Sequence, residues 1–418
     1  MTTILSLFDD KLVDDRQPWI DGIKFPGIEG SFNVYAPKAE PWIQLIALFL
    51  MQIGIQSIFA AIIYQVIVKN RGAQFTYIFG YGVVIPTICY IPFVIIEFLA
   101  IRSRVVRLAL VTAPNLIVFR CLEAMYGTSP SVVETSLGHY VAYYTSLFDF
   151  YWCRDTKARQ KIELSDLVGR IYRIKAHYVL ASLILSYLLH YDFKPFPSSI
   201  ALDSYHLSTE LFTPGQLLNN YLYALLVFFT LALGWNIAAF SFNLQGFRTV
   251  IPFHNPLFTS KSPTDFWGKK WNMTIHAFLK RGAFQPVKNM GFSTYIAVLA
   301  AFIASGLLHD YAWAILFIST SHDYDSSGVC VGRCWYPLPG KQTLFFLWCG
   351  VTMLAEKYFS NFGLIKWMSC KLPTFIVSTF VIMTVLPIAH WYVGDWIVGE
   401  YFHDFSLGLF KITLNVDP

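Results

Sequence analysis

Two short stretches of the 418-residue chain combine residue types that can act on a substrate. The first, DFWGKKWN, runs from Asp265 to Asn272 and packs a carboxylate, two lysines, an amide and three large rings into eight residues. The second, SGLLHD, runs from Ser305 to Asp310 and places a histidine inside the apolar run 293 to 320. Ionisable side chains at membrane depth are costly, and by default they mark function. The bland alternative for His309 is a neutral core histidine bonded to a carbonyl. Its neighbour Asp310 points about 100° away on a helix and is not automatically its partner. A histidine titrating near neutrality can take a proton from a hydroxyl. Asn272, or the indole N–H of Trp271, can donate to an oxyanion as it develops. Lys261, Lys269, Lys270, Lys280 and Arg281 surround the first stretch and can cradle phosphates. These groups suit removal of a proton from a hydroxyl beside an anionic ligand.

The elements that must hold these groups are membrane helices. The chain is 55% hydrophobic and 17% aromatic but only 14% charged, against about 25% charged in soluble domains. Its mean hydropathy is +0.49. A soluble enzyme, a disordered scaffold and a disulfide-framed secreted domain are excluded, and a net charge of +5 does not indicate a nucleic-acid binder. A spanning helix needs about 20 apolar residues. Such runs occur at 42–68, 75–101, 177–191, 216–240, 293–320, 342–356 and 372–393, with weaker segments at 105–127 and 131–153. The expected fold is an all-α polytopic bundle of about seven to nine spans, with its catalytic residues in a membrane-embedded tunnel.

Loop charge sets the expected orientation. Segments 154–175 and 241–288 carry seven Lys or Arg each, fourteen of the 31 in the chain, and are expected in the cytoplasm. Loops 192–215 and 321–341 and the C-terminus are expected on the opposite side, and the N-terminus in the cytoplasm. The domain reading is a cytoplasmic segment 1–40, N-terminal membrane helices 41–240, a catalytic region 241–393 and a tail 394–418. No cleavable signal peptide is expected.

DFWGKKWN followed by a membrane-embedded SGLLHD resembles the wax-synthase-like branch of the membrane-bound O-acyltransferases. The close resemblance covers roughly residues 250 to 320, and two motifs match in order. It implies that Asn272 is the first polar catalytic position and His309 the general base, 37 residues later. Lys269 and Lys270 stand where the family more often has Arg, and Asp310 where Glu is often found. The implied acyl donor is acyl-CoA, a substrate rather than a cofactor, contacted by Lys261, Asp265, Trp267, Lys269, Lys270, Trp271, Lys280 and Arg281. The implied acceptor is a lipophilic alcohol, a long-chain fatty alcohol first, with sterol, diacylglycerol or terpenoid hydroxyls as alternatives. The implied location is the endoplasmic reticulum membrane.

A reading of a different class is a transporter in which His309 relays protons, with Glu97, Arg120 and Glu123 as further intramembrane candidates. The sequon at Asn272 is discounted because its loop is expected in the cytoplasm. No metal site is expected. Cys330 and Cys334 lie in a polar loop where a disulfide is favoured over a reactive thiol. His254, His276 and His390 are expected to be structural, although the first two flank the motif.

Overall fold

The computed structural model describes residues 14–415, except Phe25, Ile28, Leu147, 151–159, His206, Ser360, Asn361 and the side chains of 364–366 and 369. Arg154, Lys157 and Arg159 of the basic segment, and residues 1–13 of the N-terminal segment, lie outside the described residues. In order, the chain forms strands β1 (Pro18–Ile23) and β2 (Ser31–Tyr35), then helices α1 (Glu40–Val68), α2 (Gln74–Phe98) and α3 (Arg104–Tyr126). Helices α4 (Leu137–Thr145), α5 (Leu164–His190) and α6 (Pro214–Asn243) follow. The short α7 (Met273–Leu279) precedes α8 (Thr294–Leu316) and α9 (Lys341–Phe359). Helices α10 (Thr374–Met383), α11 (Ala389–Val398) and α12 (Tyr401–Leu407) lead to strand β3 (Lys411–Asn415).

Among the described residues five helices are long and apolar enough to cross a membrane: α1, α2, α3, α6 and α8. A sixth arises if the α10–α11 pair, bent by 48°, counts as one span. This is fewer than the seven to nine expected. Helix α5 carries Asp166, Arg170, Arg173 and Lys175 in its first half, and α9 carries Lys341, Gln342, Glu356 and Lys357 at its ends, so neither is apolar enough to meet that measure. Segment 131–153 does not form a span among the described residues. It holds a single 3₁₀ turn, Ser131–Thr135, and the nine residues of α4, which reach roughly 14 Å against a hydrocarbon core of about 30 Å.

The weak segment 105–127, by contrast, is one long helix. Ser103 caps it by accepting from the Val106 N–H, and Gly127, at φ 68°, ends it in the left-handed region that glycine adopts without penalty. Two of its arginines are bonded to backbone carbonyls inside the bundle. The Arg107 guanidinium donates to the carbonyls of Ile101 and Ile318 at 2.6 Å each, and Arg104 donates to those of Leu316 and Arg333 at 2.8 Å. Helix α1 instead turns Ile46, Leu50 and Ile58 outward, as a lipid-facing helix should.

The fold is helical but not entirely so. Strands β1, β2 and β3 form one antiparallel sheet in that order, with Phe32 opposite Leu414 and Val34 opposite Ile412. Residues 394–415 are therefore not a loose tail, and Tyr401, Phe402 and Leu409 are buried in the core. The sheet also brings residues 18–35 and 411–415 together at one end of the bundle. The Lys38 N–H donates to the Leu407 carbonyl at 2.8 Å, and the Trp42 indole to that of Gly408 at 3.0 Å. A cytoplasmic N-terminus and an opposite-facing C-terminus cannot both hold. Of the two weaker segments, 105–127 and 131–153, only the first supplies a long helix among the described residues.

Candidate active site

The first motif is a chain of tight local turns. Ser262 caps the turn Pro263–Asp265 by accepting from the Asp265 N–H at 3.1 Å. Phe266–Lys270 then forms a π-helical turn, closed by the Trp271 N–H on the Phe266 carbonyl at 2.8 Å. Such turns recur at functional sites because they re-aim side chains. Asn272 follows in the left-handed region, at φ 39° and ψ 69°, a conformation that asparagine tolerates better than most residues. Its Oδ1 accepts from the Ile275 N–H at 3.3 Å and so caps α7. With the oxygen used in the cap, the amide NH₂ is what Asn272 offers to a ligand.

The second motif is built on α8, whose first turn Ser293 caps by accepting from the Ile296 N–H at 3.3 Å. His309 Nδ1 lies 2.7 Å from the carbonyl oxygen of Ser305, one turn back. A carbonyl can only accept, so Nδ1 carries the proton and Nε2 keeps its lone pair. The ring stacks on Phe346 of α9, with centroids 4.4 Å apart, and packs edge-on against Trp313 and Tyr392. Helix α9 comes this close because position 306 is glycine. A Cβ there would sit 2.4 Å from the Thr343 Cα. Asp310 then fixes α9 lengthwise, accepting from the Gln342 and Thr343 N–H groups at 3.1 and 3.2 Å. It caps the next helix, and no bond joins it to the His309 ring among the described residues.

The two motifs meet at one cavity of about 480 Å³. Asn272 and His309 both line it, together with Trp267, Lys269, Trp271 and Lys280. A run of rings joins them. Trp271 lies 5.9 Å from Trp267, Trp267 lies 6.2 Å from Phe346, and Phe346 stacks on His309. The remaining wall is largely aliphatic and aromatic, including Val227, Leu257, Phe302 and Leu386. Lys269 and Lys280 are the exposed lysines of the lining and mark the wet end. His276, on α7, also lines the cavity. Burial, then the charges of Lys280 and Arg281, lower its pKa, so it presents a neutral ring.

Four expected acyl-CoA contacts do not line this cavity. Asp265 pairs with the Lys270 ammonium at 2.8 Å and accepts from the Lys261 N–H at 3.0 Å. Burial opposes the charge of Asp265, but the bonds from Lys270 and the Lys261 N–H, with the charges of Lys270 and Lys269, together lower its pKa. Lys270 also donates to the Thr259 carbonyl, which leaves it a brace of the turn. Arg281 grips both oxygens of Asp149 at 3.0 Å and reaches Glu123 at 3.1 Å. Burial opposes the Arg281 charge, and these carboxylates more than offset it, raising its pKa. Arg120 completes the cluster, 3.6 Å from Glu123 with its guanidinium 3.3 Å from the Tyr143 ring centroid.

Sequence reading missed three supports of the site: Phe346, the capping role of Asp310, and a wholly buried Lys341–Asp395 ion pair at 2.9 Å between α9 and α11. Asp310 at helical spacing carried no signal, because its partners, two backbone N–H groups and the Thr343 hydroxyl, are more than 30 residues away. Cys330 and Cys334 are disulfide-bonded. His254 and His390 do not line the cavity.

Residues 250–331 match the family described as Membrane bound O-acyl transferase family. This segment holds both motifs. The chain is similar to the probable long-chain-alcohol O-fatty-acyltransferase 9 of Arabidopsis thaliana, 28% identical over 93 residues, or 19% of this chain and 27% of that protein. It is similar to acyl-CoA–sterol O-acyltransferase 1 of the same plant, 25% identical over 117 residues, or 27% and 33% of the two chains. It also resembles diacylglycerol O-acyltransferase 1-1 of Oryza sativa subsp. japonica, 32% identical over 63 residues, or 15% and 12%. The matched part spans about a quarter of the length of the first of these relatives.

Proposed function

We propose that this protein transfers a fatty acyl group from acyl-CoA to the hydroxyl of a lipophilic alcohol within the membrane. One observation carries the reading. Asn272 and His309 come from separate elements and line one cavity, the first with an amide NH₂ to give and the second with Nε2 free of its proton. His309 Nε2 takes the alcohol proton as the alcohol oxygen adds to the thioester carbonyl carbon. The oxyanion forms against the Asn272 amide. It collapses with cleavage of the C–S bond, and the leaving thiolate takes the proton back from the imidazolium. No acyl-enzyme forms.

Lys269 and Lys280, at the wet end, meet the phosphates of coenzyme A, and the apolar wall receives the acyl chain and the acceptor. The acceptor proposed first is a long-chain fatty alcohol, giving a wax ester, because the first of the relatives is named for that class. A sterol is the second reading, supported by the sterol-named relative. The transporter reading gains nothing from the structure, because Arg120 and Glu123 are engaged with each other. We place both basic segments in the cytoplasm and both termini on the opposite side. This follows if α5, α9 and the α10–α11 pair also cross, for eight crossings in all. The endoplasmic reticulum is the membrane proposed. The test is incubation of purified protein with labelled acyl-CoA and a panel of fatty alcohols, sterols and diacylglycerol. Labelled ester from a fatty alcohol supports the reading, and no ester from any acceptor refutes it.

A further inference from the structure

Resting on that reading, we infer that Tyr392 is a further catalytic residue, whose phenol O–H donates to the acceptor's hydroxyl oxygen and holds it for attack. Tyr392 is the one tyrosine among the residues lining the cavity. It comes from α11, an element distant in sequence from both motifs, which is why neither motif announces it. Its ring is locked in place, stacked on Phe345 at 5.4 Å and packed against Phe346 at 5.8 Å and Trp313 at 5.7 Å. Its centroid lies 5.6 Å from that of His309. Ring packing of this kind needs no hydroxyl, and a phenylalanine would fill the same space.

Among the described residues no protein group hydrogen-bonds the Tyr392 hydroxyl, yet the oxygen is not sealed into the packing either. Tyr392 itself lines the cavity. A bare hydroxyl on an otherwise apolar wall is retained at a cost unless a ligand completes it. The position defines the ligand group. The acceptor alcohol must give its proton to His309 Nε2 while keeping a lone pair for the carbonyl carbon. Its oxygen has a second lone pair, and a phenol beside the imidazole supplies the donor for it. Asn272 serves the thioester carbonyl and Tyr392 the attacking oxygen, so the two donors do not compete. Recognition through an oxygen lone pair selects alcohols over the hydrocarbon chains that otherwise fill such a wall.

The test uses the full-length protein, the best acceptor alcohol, its methyl ether and the chain-matched hydrocarbon. The ether cannot be acylated and gives no proton to His309, but its oxygen still accepts from Tyr392. In the native protein the ether should inhibit competitively against the alcohol and bind better than the hydrocarbon. Tyr392→Phe keeps the packing and should raise both the KM for the alcohol and the Ki of the ether by about five- to tenfold, with the KM for acyl-CoA unchanged. An unchanged Ki and KM, or an equal rise in the KM of both substrates, overturns the inference. Should the variant fail to fold, ether and hydrocarbon inhibiting the native protein equally overturns it as well. If the native protein acylates no alcohol, the acyltransferase reading itself is what has failed.

Discussion

The His309 imidazole is tethered by its Nδ1 to the carbonyl of Ser305 at 2.7 Å, within a single turn of α8. The bond is local, so the helix itself sets the tautomer and needs no carboxylate partner. A neutral histidine with Nε2 directed at a cavity is the form a general base must have before reaction. Phe346 holds the ring from the far side. The serine and glycine that precede the histidine thus have separate uses, one as a carbonyl and one as the absence of a Cβ.

Gly306→Ala tests the second of these. The new Cβ meets backbone, not a flexible side chain, so α8 and α9 must separate. A loss of roughly 1–3 kcal/mol of stability is expected from such overpacking, with a fall in activity as Phe346 moves off His309. Thermal unfolding in detergent and the initial rate check both. An unchanged rate removes α9 from the support of the base.

Asn272 has two duties, and substitutions can separate them. Asn272→Gly keeps the left-handed backbone but loses the amide, so it should fold and lose about 10²- to 10³-fold in kcat. Asn272→Ala loses the amide and strains the backbone, so it should lose the same rate and also stability. Both should leave the KM for acyl-CoA close to native. A glycine variant with native kcat would reduce Asn272 to a helix cap.

The lysines and arginine in and just after the first motif divide by position. Lys269→Ala with Lys280→Ala should raise the KM for acyl-CoA with little change in kcat, and should flatten its rise with salt, because exposed cation–phosphate contacts are screened. Arg281→Ala should instead destabilise the fold by about 3 kcal/mol or more, since it leaves the buried Glu123 without a principal partner. Steady-state kinetics at several salt concentrations and denaturation curves separate the two classes.

Much of the architecture was legible in composition and apolar run length, and both catalytic candidates in two short motifs. What escaped was decided by long-range pairing. Helix α3 reads as a poor span because Arg104, Arg107 and Arg120 dilute it, yet each has a partner far along the chain, at Leu316, Ile318 and Asp149, that no local pattern reveals. The sheet escaped because β2 pairs with a strand nearly 400 residues away. Lys270 and Arg281 looked like phosphate ligands because a cation's partner is invisible until the chain is folded.

The topology follows from the same sheet. Single cysteines at positions 24 and 205 should be labelled from one side of the membrane, and cysteines at 160 and 265 from the other. Impermeant maleimide on sealed vesicles checks this. Labelling of 24 and 265 from the same face would contradict the eight-crossing topology.

The claim at the centre is that His309 Nε2 removes the acceptor's proton. Labelled ester formation by His309→Ala, measured beside native protein at equal folded concentration and saturating acyl-CoA, tests it most directly. Loss of a positioned general base costs about 10²- to 10⁴-fold, so the rate should fall at least 100-fold while acyl-CoA binding stays near native. A variant retaining more than a tenth of the native rate contradicts the claim and removes His309 from the mechanism.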